Sequence, residues 1–261
     1  MDREKGLQSF WFLALLTLIS GLLAEGVHWA LVVFDPERRL PAILSIALPG
    51  FAAGALFPYG VIRLIYRRRL ADLGIRWWTP GRNSWRWLLV TCGATLLVWL
   101  VFWGGLLALV QLAPEGSEGA SKLSQSPLTL LLAGGAGPRL LATLIYFAVL
   151  VGFAEELLGR GLIQNVLDLR YDRVYGKGRL TIRKSTLLAA MLFALWHIEW
   201  LQSNPVDILV SVIVSASIVM VPSLLLCIVY ERTRGILVVI VLHNFIDISK
   251  FVAWDWMLRL F

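Results

Sequence analysis

Residues 151–164 read VGFAEELLGRGLIQ, which sets Glu155, Glu156 and Arg160 into a run that is otherwise apolar or small from about residue 139 onward. An ionised group at the centre of a membrane helix costs about 2.5–3.5 kcal/mol on insertion scales, so charges kept in such a run are there for a reason. The rest of the chain says that the run is a span. Of 261 residues, 58% are hydrophobic and only 16% are charged, and the mean hydropathy is +0.75. A soluble domain carries about a quarter charged residues, so a water-soluble globule is excluded.

Working outward, each span needs roughly 20 apolar residues, which leaves room for seven spans, with eight as the alternative, and for no separate soluble domain. The apolar runs lie at about 10–34, 41–65, 87–112, 139–164, 185–201, 206–230 and 235–252. The expected fold is all-α, a polytopic transmembrane helical bundle. Residues 126–137 (SPLTLLLAGGAG) are too short to cross, and the tail Trp254–Phe261 (WDWMLRLF) has the make-up of an aromatic interface anchor. The first run is read as an uncleaved span, because Asp2 and Glu4 break up its basic n-region. With the N-terminus inside, 18 of the 24 Lys and Arg fall on the cytoplasmic side, the bias expected of an N-in, C-out multi-pass protein.

The net charge of +7 belongs to these loops. No basic stripe is interleaved with aromatics, so nucleic acid is not an expected partner; membrane lipid is. Cys92 and Cys227 both lie in apolar runs and make neither a disulfide framework nor a cysteine zinc site. Gly50 and Gly54 form a GxxxG close-packing signal.

Ionisable residues cluster in three runs: Glu155, Glu156 and Arg160 in the fourth, His197 in FALWHIEW of the fifth, and His243 with Asp247 in VLHNFIDI of the seventh. At about 100° per residue, Glu156 stacks on Arg160 and reads as a structural ion pair, whereas Glu155 points about 140° away from Arg160. An unpaired, partly desolvated carboxylate is the better general base. His243 and Asp247 share a face, so the carboxylate can set the imidazole tautomer, and Phe193 shares a face with His197 and can wall its ring. His28, three residues after Glu25, reads as half of a local polar pair. Depths counted from the span ends put Glu155 a turn or two shallower than the histidines, with the site in a water-filled cavity of the cytoplasmic half.

The order Glu-Glu-x-x-x-Arg (Glu155, Glu156, Arg160), Phe-x-x-x-His (Phe193, His197) and His-x-x-x-Asn/Asp (His243, Asp247) resembles the CPBP family. These are the CAAX proteases and bacteriocin-processing or immunity proteins, also called Abi, related to the type II CAAX prenyl endopeptidase. Leu73-Gly-Ile-Arg76 and Glu231-Arg-Thr-Arg-Gly235 are supporting context. The resemblance is dense over about residues 139–250, which divides one membrane unit into N-terminal helices (1–125) and a catalytic core (126–261). It implies a membrane endopeptidase cutting a membrane-associated protein or peptide, lipidated or not. Glu155 and His197 would activate water, His243 and Asp247 would stabilise the oxyanion, and Glu156, Arg160 and Phe193 would support them.

Two departures stand out. Asp247 occupies the position of an Asn that can donate, and an ionised carboxylate only accepts; Asp247 is therefore protonated, orients His243, or ligates a metal. Gly159 stands where a bulky apolar residue is common, which leaves an expected packing gap. Glu155, His197, His243 and Asp247 also make a plausible N2O2 zinc set, while a metal-free glutamate mechanism suits the same residues and is the preferred expectation. Two other readings remain. One is an idle protein of the same fold that binds and regulates a partner. The other is a proton-coupled transporter using the acids and histidines as a relay, against which the lack of repeats and broken helices counts. A bacterial cytoplasmic membrane suits so compact a chain, and neither substrate identity nor oligomeric state has a sequence signal.

Overall fold

A computed structural model describes residues 6–34, 42–73, 75–77, 84–111, 145–177, 181–198, 209, 212–213 and 215–260. Seven helices carry the described chain: α1 (Phe10–Phe34), α2 (residues 42–65), α3 (Ser84–Gln111), α4 (residues 146–168), α5 (Lys184–Trp196), α6 (residues 215–233) and α7 (Ile236–Leu260). They coincide with the seven apolar runs to within a few residues at most described ends. α1 and residues 47–65 are long and apolar enough to cross a membrane. Residues 126–137 lie outside the described chain, and the backbone of the Trp254 tail continues α7 to Leu260.

The burial pattern of α1 is that of a helix in lipid. Thr17 and Ser20 are buried, while Trp11, Leu15, Leu22, Trp29 and Val33 face outward. The buried hydroxyls are satisfied inside the protein, Thr17 donating to the Leu13 carbonyl at 2.8 Å and Ser20 to the Ala53 carbonyl at 2.9 Å. In a bundle surrounded by hydrocarbon the polar groups must turn inward. Thr91 and Thr95 of α3 are likewise buried, with Leu89 and Leu97 outward, and the Thr91 hydroxyl donates to the Trp87 carbonyl.

α4 is the central helix. Leu158, Leu162 and Ile163 pack with Leu13, Leu16, Ile62 and Leu192 on one side, and Ala154 and Leu157 pack with Leu226, Val239 and Leu242 on the other. The GxxxG glycines of α2 let α4 come close. A Cβ on Gly54 would meet the Ala154 carbonyl oxygen at 2.7 Å, and one on Gly50 would meet the Tyr146 hydroxyl at 2.6 Å.

The two stretches that framed the sequence motifs meet in space. Arg76 bridges Gly235 in parallel, and the carbonyls of Arg76 and Trp77 accept from the amides of Ile236 (2.8 Å) and Leu237 (3.1 Å). The first amides of a helix have no partner within it; here the passing segment at Arg76 and Trp77 supplies two and anchors the start of α7. Just before it, Arg234 adopts a left-handed conformation (φ 53°) at the end of α6. That conformation costs a non-glycine residue about 1 kcal/mol, and a 2.6 Å ion pair to Asp168 holds it in place. A two-stranded hairpin, β1 (Val174–Tyr175) with β2 (Ile182–Arg183), joins α4 to α5.

Candidate active site

The acidic pair sits on one regular turn, Val151–Glu156, between two stretches of wide, i→i+5 bonded helix, Tyr146–Leu150 and Leu157–Gln164. Wide turns recur at functional sites because they re-aim side chains without ending the helix. Asn244 of α7 stitches the first of them. It accepts from the Gly152 amide at 2.8 Å and donates to the Val149 carbonyl at 3.4 Å. Gly152 has no room for a side chain, since a Cβ would collide with the Asn244 amide and come within 2.8 Å of the Ile240 carbonyl. This contact, which the sequence reading did not include, locks α4 against α7 one turn from Glu155. Its signal in the sequence is a second polar residue, Asn244, beside His243 in an apolar run.

His197 closes α5 rather than lying within it. α5 ends at Trp196, and His197 stands at its C-terminal cap. The His197 amide bonds to the Ala194 carbonyl at 3.1 Å, which frees the Phe193 carbonyl to take the imidazole Nδ1–H at 2.9 Å. A carbonyl oxygen only accepts, so Nδ1 carries the hydrogen. Nε2 then points at Glu155 Oε2, 3.3 Å away. Residues 199–201, the outer end of the fifth apolar run, lie outside the described residues.

His243 comes in from α7. Its Nε2 lies 3.5 Å from Glu155 Oε2 and 3.5 Å from Asp247 Oδ2. Its Nδ1 is 2.5 Å from Glu156 Oε1. The expected tautomer-setting contact from Asp247 is therefore the longer of two; the short one comes from Glu156, the residue assigned only to Arg160. The reason is tertiary, because the α4–α7 crossing stacks the ring over Glu156. The same Oε1 takes Arg160 Nη1 at 2.9 Å, so the expected ion pair is present and fully buried. Arg160 also donates to the Ser223 carbonyl at 2.9 Å.

Phe193 is the hub. Its ring lies under the Arg160 guanidinium at 4.7 Å, tilted against His197 at 4.7 Å and edge-on to His243 at 6.2 Å. The gap expected at Gly159 does not exist, because a Cβ there would already be 3.0 Å from the Phe193 ring. Gly159 is small so that the ring can reach Arg160. His28 does not figure among these contacts.

The structure thus brings Glu155, Glu156, Arg160, Phe193, His197, His243 and Asp247 together from three helices. The depth mismatch disappears, since Glu155 Oε2 reaches both histidines. That oxygen is buried and faces two imidazole nitrogens without a well-formed hydrogen bond. With both Nδ1 atoms protonated, each contact attracts only when a proton lies between oxygen and nitrogen. Three carboxylates are balanced by one guanidinium and up to two imidazolium charges, so the cluster can hold or pass a proton while keeping its net charge small. Among the described residues no group of three or more His, Cys, Asp and Glu is disposed to hold a metal ion. His243 turns its Nδ1 to Glu156 and its Nε2 to Glu155 and Asp247.

A model of the family described as type II CAAX prenyl endopeptidase Rce1-like matches residues 137–249. No curated protein and no solved structure matches the chain. The match spans all seven clustered residues and the Asn244 and Gly152 contact that holds them, so over residues 137–249 the chain is similar to the Rce1-like type II CAAX prenyl endopeptidase family.

Proposed function

We propose that the protein is an intramembrane endopeptidase that hydrolyses a peptide bond of a membrane-associated protein or peptide by a glutamate mechanism. The observation that carries this reading is Glu155 Oε2, buried and within 3.3 and 3.5 Å of two imidazole nitrogens from separate helices. The rival of an idle, partner-binding protein leaves that convergence unexplained.

In the proposed reaction a water held between Glu155 and His197 attacks the scissile carbonyl carbon, and Glu155 takes its proton. The carbonyl π electrons move to oxygen, and the oxyanion is met by the Nε2–H of a protonated His243. Glu156, at Nδ1, and Asp247, beside Nε2, balance the charge of that ring, which gives Asp247 a role compatible with a carboxylate that only accepts. The tetrahedral intermediate collapses, the C–N bond breaks, and the proton on Glu155 passes to the leaving nitrogen. Product carboxylate and ammonium then account for both hydrogens of the water. No step requires a metal.

We further place the seven helices as seven spans with the N-terminus cytoplasmic and the site in the cytoplasmic half, in a bacterial cytoplasmic membrane. The agreement between helices and apolar runs and the 18-to-6 division of basic residues support this topology. The substrate is a protein or peptide at that surface, lipidated or not.

The test compares membrane protein and peptide profiles of cells making the intact protein or Glu155→Gln at equal levels. A new terminus found only with the intact protein establishes the protease and names its substrate. Identical profiles with a phenotype that follows the protein's presence replace this reading with partner binding.

A further inference from the structure

Glu156, Arg160 and Gln164 follow one another at four-residue spacing along α4, and all three are fully buried. Each keeps one polar atom that no protein group satisfies: Glu156 Oε2, Arg160 Nε and Gln164 Oε1. Their remaining atoms are well used. Arg160 bonds Glu156 and the Ser223 carbonyl, each at 2.9 Å. Gln164 Nε2 bonds the Cys227 carbonyl at 3.0 Å and the Thr186 hydroxyl at 3.4 Å.

The file continues in both directions. Outward, the Thr186 hydroxyl donates to Glu231 Oε2 at 2.6 Å, and Glu231 Oε1 lies 3.5 Å from Nε of Arg183, whose side chain is 40% exposed. Inward, Glu156 Oε1 meets His243, which faces Glu155. Polar groups therefore recur at every turn of α4 from the clustered residues toward the protein surface, within the apolar core that holds Leu158, Leu162 and Leu192. A purely structural network closes on itself. This one leaves an open donor or acceptor at three successive levels, and buried polar atoms left open by protein are characteristically met by internal water.

We infer that this face of α4 binds a file of internal waters at Glu156 Oε2, Arg160 Nε and Gln164 Oε1, and that the file feeds the hydrolytic site from the surface cluster of Glu231 and Arg183. The feeding role rests on the endopeptidase reading; the waters do not. Each turnover consumes one water, and a substrate seated from the lipid side covers the direct approach. A supply from behind the catalytic helix lets the site refill while it is covered.

Cys227 is a built-in reporter. Its thiol is buried to 1% exposure, beside Ser223 and the Arg160 guanidinium. Radiolysis of water by a short X-ray pulse, applied to the full chain in lipid nanodiscs, generates hydroxyl radicals wherever water is bound, including inside the protein. The expected result is oxidation of Cys227 in the intact protein, and about tenfold less in Gln164→Met, which fills the file with an apolar chain of similar size. On the membrane substrate, kcat of Gln164→Met falls about tenfold with KM and Tm held. Thr186→Val, one link further out, gives the same pattern should Gln164→Met fail to fold. An unoxidised Cys227 in the intact protein means the file is dry and overturns the inference. Suppressed oxidation with kcat unchanged overturns the feeding role. Oxidation of Cys227 in a protein that cleaves nothing upholds the water file and sinks the protease reading alone.

Discussion

His243 Nδ1 and Glu156 Oε1 lie 2.5 Å apart across the crossing of α7 and α4, and the same oxygen receives Arg160 at 2.9 Å. Glu156 is therefore the joint between a buried ion pair and the imidazole proposed to meet the oxyanion. Its neighbour Glu155 has no such joint and is free for chemistry, so two adjacent, chemically identical residues separate cleanly in their expected phenotypes.

Glu156→Gln removes the counter-charge of a fully buried guanidinium and should lower stability by about 3–5 kcal/mol, with poor yield and an early detergent melting transition. Arg160→Ala should do the same by stranding Glu156. A Glu156→Gln protein that melts with the intact one would show that the pair is not what holds the bundle.

Glu155→Gln and His197→Ala should leave melting close to that of the intact protein, because neither residue anchors a helix crossing. Cleavage should drop by about 10²–10⁴-fold, the usual worth of a positioned base. Equal losses of fold across Glu155, His197 and Arg160 variants would favour a purely structural network.

Asp247→Asn tests how the oxyanion is met. The amide of Asn can itself donate to the oxyanion in place of the carboxylate's support of His243, so cleavage should persist within about tenfold, whereas Asp247→Ala, which leaves neither, should cost about 10²–10³-fold, the scale of an impaired oxyanion donor. A dead Asp247→Asn with an intact fold would mean that the carboxylate charge itself is required.

Gly152→Ala should force α4 and α7 apart, since a Cβ there would press on Asn244 and come 2.8 Å from the Ile240 carbonyl. Overpacking of this kind costs about 1–3 kcal/mol, and the displaced Glu155 should lose activity beyond that. Gly159→Ala, which meets only the Phe193 ring at 3.0 Å, should be milder. Thermal melting and cleavage rates of the two variants provide the comparison; a harmless Gly152→Ala would contradict the close crossing.

Chelation by 1,10-phenanthroline or EDTA should leave the cleavage rate of purified protein unchanged. A rate lost to chelator and restored by zinc would return Glu155, His197, His243 and Asp247 to the role of ligands.

Much of this site could be read from spacing alone. Glu156 with Arg160 and Phe193 with His197 are i,i+4 relations, and a helix brings such residues together whatever surrounds it. His243 with Asp247 obeyed the same rule but at 3.5 Å, because the ring is drawn to Glu156 on another helix. Asn244 and Gln164 escaped notice because their partners, Gly152, Val149, Thr186 and Cys227, are remote in sequence. Gly159 was misjudged for the same reason: its missing side chain is replaced by the ring of Phe193, 34 positions away.

What the sequence by itself determined is the all-helical architecture, the positions of seven helices and the three segments whose ionisable residues meet. Lipid-compatible hydrophobicity and the high cost of intramembrane charge leave few other readings. What only the tertiary structure decided is the division of labour inside the cluster. Whether a carboxylate is locked or available depends on which helix crosses it, and crossings are set by small residues such as Gly54 and Gly152 and by the segment at Arg76 that anchors α7. Those contacts are long-range, and no periodicity along the chain encodes them.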